Sequence, residues 1–268
     1  MTVAARPRGP AAVRGAFEAA RADGRAAFAV YLMAGFPTDG GALECAIAAL
    51  EAGADLLEIG VPFSDPLADG PVVAEAGRVA LANGGGIRSA LRLAAGLRER
   101  GHEQPLLVMS YLNPLVAAGE AATLAKLAAA GVDGMIVPDL PAGESPRFER
   151  LAAVNGLSLT FLVAPNSAPE RIDAAVRAST GFLYVVPLFG VTGARAEVAA
   201  GAPALLDRMR VATAGRAPVA AGFGISTAEQ MRTLEPHADG LIVGSAIVAA
   251  ARDGGARAVG DLVRTLRG

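Results

Sequence analysis

The chain of 268 residues has no tryptophan, one cysteine, two histidines and no apolar run long enough to cross a bilayer. Each shortage excludes something. The single Cys45 cannot close an internal disulfide, and its Ala/Leu-rich helical setting reads as a buried, inert thiol of a reducing cytoplasm. His102 and His237 lie far apart in sequence and lack carboxylates at metal-ligand spacing, so they read as surface residues and no metal site is expected. No serine has a nucleophile-elbow context, and Ser64 has no histidine nearby. The longest early apolar run, Ala26 to Phe36, is too short for a membrane span and lacks the flanks of a signal peptide. Glu18 and Asp23 interrupt the Arg/Ala-rich stretch from Arg6 to Arg25, which favours an ordinary amphipathic first helix over a transit peptide. Neither sign of charge is in excess: 24 basic against 26 acidic residues give −2, which offers no polycationic face to nucleic acid or anionic lipid. A soluble, unexported protein that meets small molecules or other proteins is expected.

What is present is a large core, with 53% hydrophobic against 19% charged residues. Short apolar runs alternate with Ala/Leu/Arg stretches of helical period, the pattern of repeated βα units on a parallel sheet. Strands are expected at Ala27–Met33, Leu56–Gly60, Leu106–Ser110, Gly134–Val137, Ser158–Val163, Phe182–Val186, Ala217–Ala220 and Gly240–Val243. Between them Ile87, Leu91, Ala94 and Leu97, and again Leu124, Leu127, Ala128 and Gly131, recur at helical spacing. A weak repeat joins "AGADLLEIG", "AGVDGMIVPD" and "PHADGLIVGS": a helix stop, an aspartate, then a strand. Gly53 and Gly131 suit left-handed helix C-caps. Eight such units without a linker predict one domain over 1–268, a single (β/α)8 TIM barrel with an extra N-terminal helix, over an open doubly wound sheet.

In such a barrel polar residues at the C-terminal strand ends carry the chemistry. "LLEIGVPFSDPLADGP" (Leu56–Pro71) contains the anomaly: period-two alternation puts Glu58 on the face of Leu56 and Gly60. If that face is the interior, desolvation raises the carboxyl pKa and makes a proton donor of it; the alternative is a glutamate satisfied by a neighbour or turned outward. Pro62, Pro66 and Pro71 stiffen the following loop. Asp65 reads as a turn residue, whereas Asp69 could face Glu58 across a bound substrate, the arrangement that lets one site run acid and base steps. At the far end, "AAGFGIS" with Gly222 and Gly224 and "IVGSAI" with Gly244 and Ser245 follow the last two strands, where this fold builds phosphate sites. A dinucleotide fingerprint fails because its third glycine would fall at Thr227. "FGVTGAR" (Phe189–Arg195), with Gly190, Thr192 and Gly193, suggests a mobile lid.

These residues resemble the tryptophan synthase α subunit family. The likeness rests first on "LLEIGVPFSDPLADGP" and continues through "YLMAGFP", "SYLNPL", "GMIVPDLP", "FGVTGAR", "GFGIS" and "GSAIV", from the first strand to the last. It implies a carbon–carbon lyase that cleaves indole-3-glycerol phosphate to indole and glyceraldehyde 3-phosphate in tryptophan biosynthesis. By the resemblance Glu58 is the acid/base at the indole carbon and glycerol hydroxyl, and Asp69 acts at the indole nitrogen. Tyr111 and Tyr184 match positions near the substrate, and Thr192, Gly193, Gly224, Gly244 and Ser245 match lid and phosphate positions. It further implies a β-subunit partner in an α2β2 heterotetramer; pyridoxal phosphate belongs to that partner, so this chain should carry no cofactor. Phe28, Met109 and Ile136 are candidates for an apolar wall around the ring or for plain core. The absence of tryptophan suits an enzyme made while tryptophan is scarce.

Two departures from the family stand out: Pro187-Leu188-Phe189 before Gly190, where a serine is usual, and Val73-Ala74 where an Ile-Gln pair is usual. Both lie in loops that, by the resemblance, meet the β subunit and close the site. They motivate a free-standing lyase as the runner-up, beside a non-catalytic phosphate-binding barrel that activates a partner and a phosphosugar isomerase sharing only the end loops.

Overall fold

A computed structural model of the chain describes residues 7–186, 195–222 and 224–268. Eight parallel strands pair in sequence order: β1 (Ala27–Met33), β2 (Leu56–Gly60), β3 (Leu106–Met109), β4 (Gly134–Ile136), β5 (Ser158–Val163), β6 (Leu183–Val185), β7 (Val219–Ala221) and β8 (Gly240–Val243). β8 returns to β1 and closes the barrel. All eight fall within two residues of the expected segments, because a strand buried on both faces leaves an apolar run that the helices between do not imitate.

The helices are α1 (Pro10–Ala22), α2 (Asp39–Glu51), α3 (Pro71–Ala82), α4 (Ile87–Glu99), α5 (Leu112–Ala117), α6 (Glu120–Ala129), α7 (Pro146–Val154), α8 (Pro169–Ala178), α9 (Arg195–Thr213), α10 (Ala228–Leu234) and α11 (Ser245–Arg267). The stripe read from Ile87 to Leu97 is the inner face of α4, with Leu93, Ala94 and Leu97 buried. Gly53 and Gly131 end α2 and α6 at φ +110° and +87°, as a left-handed C-cap requires. Cys45 is buried on α2, and burial lifts its thiol to about 11, which keeps it protonated and inert.

The N-terminal helix floors the barrel. Val13, Phe17 and Ala20 are its buried face. Phe17 stacks on Phe182 at 5.3 Å, and a Cβ on Gly240 would lie 2.6 Å from the Phe17 ring. Only glycine at the start of β8 leaves room for that ring.

The sequence repeat proves to be a clamp at the same lower rim. Each repeated aspartate precedes an even-numbered strand and grips the backbone of the strand before it. Asp55 accepts from the Phe28 amide at 2.8 Å, Asp133 from Leu106 at 3.0 Å and Asp239 from Val219 at 2.8 Å, while their own amides donate to the carbonyls of those same residues. Thr180 does the same before β6, its hydroxyl accepting from the Leu159 amide at 2.8 Å. Each aspartate also holds two arginines: Arg25 and Arg267 on Asp55, Arg8 and Arg98 on Asp133, Arg21 and Arg210 on Asp239.

Asp133 is wholly buried and also accepts from the Gly9 amide at 3.0 Å, so it ties the N-terminal helix to the barrel. Replacing it by alanine leaves the nearly buried Arg98 guanidinium with carbonyl partners but no counter-charge, and strands two backbone donors. Asp133→Ala is expected to lower the unfolding free energy by about 3–5 kcal/mol in urea titrations. Asp253→Ala, which breaks an exposed pair with Arg252, should change it by less than about 1 kcal/mol.

Candidate active site

Strand register decides which way Glu58 points. It pairs with Tyr31 of β1 and Leu107 of β3; Gly60 pairs with Met33 and Met109, and Met109 in turn with Ile136. Side chains in register across parallel strands share a face. That face is the barrel interior, since Tyr31 Oη lies where a Cβ on Gly60 of β2 would be and the Tyr31 ring base faces Gly244, just past the end of β8 on the other side of β1. Met109 and Ile136 therefore line the interior, whereas Phe28 does not. It alternates with Ala29 and Tyr31 and faces the helices, a phase that a strand buried along its whole length does not disclose.

Glu58 is 1% exposed, and neither carboxyl oxygen has a hydrogen-bond partner. Desolvation alone pushes its pKa from the ordinary 4.5 to about 8, so it holds its proton at neutral pH. The expectation that Glu58 faces the interior, with its pKa raised by desolvation, is met by this geometry.

The loop after β2 is shaped by two turns, with the Leu67 amide on the Asp65 carbonyl and the Asp69 amide on the Pro66 carbonyl, both at 3.0 Å. Asp65 is exposed and shapes the turn, and Asp69 is half-buried. The Tyr111 hydroxyl donates to Asp69 at 3.2 Å and accepts from the Ala68 amide at 2.8 Å, pinning the loop to the turn that follows β3. Burial raises the Asp69 carboxyl above its usual range and the Tyr111 hydrogen bond partly offsets this. Phe63 stacks on the Tyr111 ring at 5.3 Å.

Tyr184 of β6 is buried and faces the same interior; a Cβ on Gly222 would overlap its hydroxyl. Burial lifts the phenols of Tyr31 and Tyr184 far above their usual value, with the Glu58 charge adding to both and Asp69 to Tyr31. All three tyrosines of the chain thus gather with the two carboxyls. Tyr31 is the site residue that sequence reasoning misses. Its only signals are a place inside "YLMAGFP" and the scarcity of tyrosine.

The glycine loops stand beside this cluster. Gly224 has φ +87° and is exposed, with Ile225 buried behind it and α10 opened by a Thr227/Gln230 capping box. Gly244 caps α11, and exposed Ser245 begins it, so the first amides of α11 are turned outward beside Tyr31. Thr192, Gly193, the whole lid motif before Arg195 and the Pro187-Leu188-Phe189 departure lie outside the described residues. Val73, the other departure, packs its side chain against the core from α3. His237 meets Asp207 at 3.0 Å on the lower side of the molecule, and among the described residues no group of three His, Cys, Asp or Glu could hold a metal.

A surface cleft of about 470 Å³ opens at the lower rim by Arg8, Arg98 and Gly131, but its arginines are committed to Asp133 and the Gly131 carbonyl. The upper cluster holds the Glu58 carboxyl, whose two oxygens have no hydrogen-bond partner.

Stability should report the buried acid directly. The folded-state pKa of Glu58 lies above the unfolded value, so the folded protein is favoured below about pH 4.5 and loses that advantage as pH rises towards 8. Glu58→Gln is expected to flatten this decline and to raise the thermal midpoint at pH 8 by roughly 5 °C, with little difference at pH 5, by calorimetry. Equal midpoints at both pH values would contradict a buried protonated carboxyl.

Comparison with known proteins identifies the family. The family model described as tryptophan synthase alpha chain matches residues 17–264. The tryptophan synthase alpha chain of Roseiflexus sp. strain RS-1 is 46% identical over 253 residues, 92% of this chain and 96% of that one. That of Deinococcus radiodurans is 43% identical over 255 residues, covering 94% and 93%. A structure of Mycobacterium tuberculosis tryptophan synthase superposes with TM-score 0.87 at 37% identity over 95% of this chain and 96% of that chain. The subunit alpha from Legionella pneumophila gives 0.84 at 29% over 96% and 97%. The phosphosugar isomerase reading is set aside: the chain belongs to the tryptophan synthase alpha chain family, the lyases that cleave indole-3-glycerol phosphate.

Proposed function

We propose that Glu58 and Asp69 divide the acid and base work of the lyase reaction in tryptophan biosynthesis. Indole leaves a carbon chain poorly until its ring carbon is protonated, so the reaction needs an acid over that carbon and a base at the ring nitrogen. Glu58, protonated at neutral pH, gives its proton to the ring carbon bearing the glycerol chain. Asp69 stabilises the proton on the ring nitrogen as positive charge develops there, and a proton it takes up goes back to that nitrogen as indole leaves. The Glu58 carboxylate then removes the proton of the adjacent glycerol hydroxyl as the carbon–carbon bond breaks. Indole and glyceraldehyde 3-phosphate result, and Glu58 regains its proton. The observation that carries this reading is the buried Glu58 carboxyl with both oxygens unpartnered.

In this reading Met109, Ile136, Tyr111 and Tyr184 surround the ring, and the α11 amides with Gly224, Gly244 and Ser245 take the phosphate, joined by Thr192 and Gly193. The enzyme works in the cytoplasm with a β subunit, which would hold the pyridoxal phosphate; this chain supplies no cofactor. The site's own loop offers a contact surface: Leu67 is 86% exposed beside a groove of about 370 Å³ between Phe63, Tyr111, Asn113 and Pro138.

The purified chain should release indole from indole-3-glycerol phosphate, and addition of a tryptophan synthase β subunit should bind it and raise the rate. Glu58→Gln and Asp69→Asn should each lower kcat by on the order of 10²–10⁴ with the fold intact by circular dichroism. Turnover surviving either change would remove that residue from the mechanism, and high activity with no β-subunit association would favour a free-standing lyase.

A further inference from the structure

The mechanism above makes Glu58 a transient anion in the driest part of the barrel. Among the described residues no cation acts on it, and its pKa is raised by desolvation alone. A cation there would hold the carboxylate ionised and spoil the acid. Some neutral donor must therefore steady the anion between the two proton transfers.

One buried donor stands next to it without a good acceptor. Among the described residues the hydroxyl of Tyr31 has one hydrogen bond, to Met33 Sδ at 4.0 Å, and a thioether is a weak acceptor. Tyr31 is 7% exposed and is the register partner of Glu58 on the neighbouring strand, so both side chains enter the barrel at the same level. Its ring is fixed at both ends. The base packs against Gly244, where a Cβ would lie 3.5 Å from Tyr31 Cβ, and the hydroxyl fills the space above Gly60. Gly60 lies two residues beyond Glu58 on the same face, about 7 Å nearer the mouth. The phenol thus overhangs Glu58 from the side where substrate must enter. The other titratable groups around it are Tyr184 from β6, and Asp69 and Tyr111 from the mouth loops.

We propose that Tyr31 is a positioning residue for Glu58, its hydroxyl donating to the carboxylate once the proton has gone to the ring and releasing it when the proton returns. The phenol keeps its own proton throughout, since burial among acidic neighbours makes its ionisation costly. This rests on the assignment of Glu58 as the acid.

Tyr31→Phe removes one oxygen and keeps the ring that packs on Gly244. In the full-length chain kcat for indole formation is expected to fall roughly tenfold to a hundredfold with KM within about twofold, since the hydrogen bond forms only after the first proton transfer. Loss of a donor to the charged form raises the Glu58 pKa, so the alkaline limb of the pH–rate profile should move up by about one unit. A purely structural tyrosine would leave that limb in place. An infrared titration of the protonated Glu58 carbonyl stretch in substrate-free protein, taken as a difference against Glu58→Gln, gives the same midpoint without turnover. Unchanged kcat with an unchanged limb, a rise in KM alone, or an infrared midpoint identical to wild type would each overturn the proposal. If Glu58→Gln itself retained turnover, the assignment of the acid would have failed instead.

Discussion

The register between β1 and β2 is the constraint on which the active site depends, and it is set at the opposite end of the barrel. Asp55 grips the Phe28 backbone through both its side chain and its own amide. Counting forward from that anchor, Leu56 meets Ala29 and Glu58 meets Tyr31. A slip of one residue would turn Glu58 outward among the helices and bring Leu57 into the barrel. The apolar character of both faces of β2 would resist such a slip only weakly, since Leu56, Leu57 and Ile59 are all acceptable on either side. A charged clamp at the rim supplies the specificity that hydrophobic burial does not.

That anchor matters because the site opposes folding. A carboxyl with no partner, buried in the interior, is destabilising in either protonation state, most of all when ionised. The rings of Tyr31 and Tyr184 stand beside it, and glycines at Gly60 and Gly222 give way to their hydroxyls. The mouth is therefore a place where polar groups are held dry and close by backbone that cannot carry side chains. Stabilising it with a cation or a hydrogen-bonded water would return the acid to its ordinary pKa and remove the property that makes it useful at neutral pH.

What the sequence disclosed follows from these physics. Strand positions are legible because parallel strands buried on both faces are short apolar runs, and Glu58 is legible because charge is rare within one. Asp69 stands out through its proline-braced loop. The three repeated aspartates are visible as a pattern, but their clamping role is not, and Thr180 escapes notice because a hydroxyl does the same work without resembling a carboxylate. Phe28 passes for a ring contact in the sequence because uniform burial of β1 hides which residues point inward. Tyr31 is overlooked for the same reason in reverse: an aromatic in a buried strand looks like core until register sets it beside Glu58. The short helix α5 after β3 leaves no readable mark, its proline and brevity giving no usable period.

The two ends of the barrel are thus built on different rules. At the lower rim the same clamp recurs before β2, β4, β6 and β8, so each pair of βα units repeats one solution. At the upper rim no such repeat exists among the described residues; the carboxyls come from β2 and its loop, the tyrosines from β1, β6 and the turn after β3, and the exposed helix amides from the end of β8. Repetition suits the holding of strands at fixed offsets, which is the same problem at every junction. Catalysis needs different groups at different points around one substrate, and it becomes possible because the clamps have already fixed where each strand end will be.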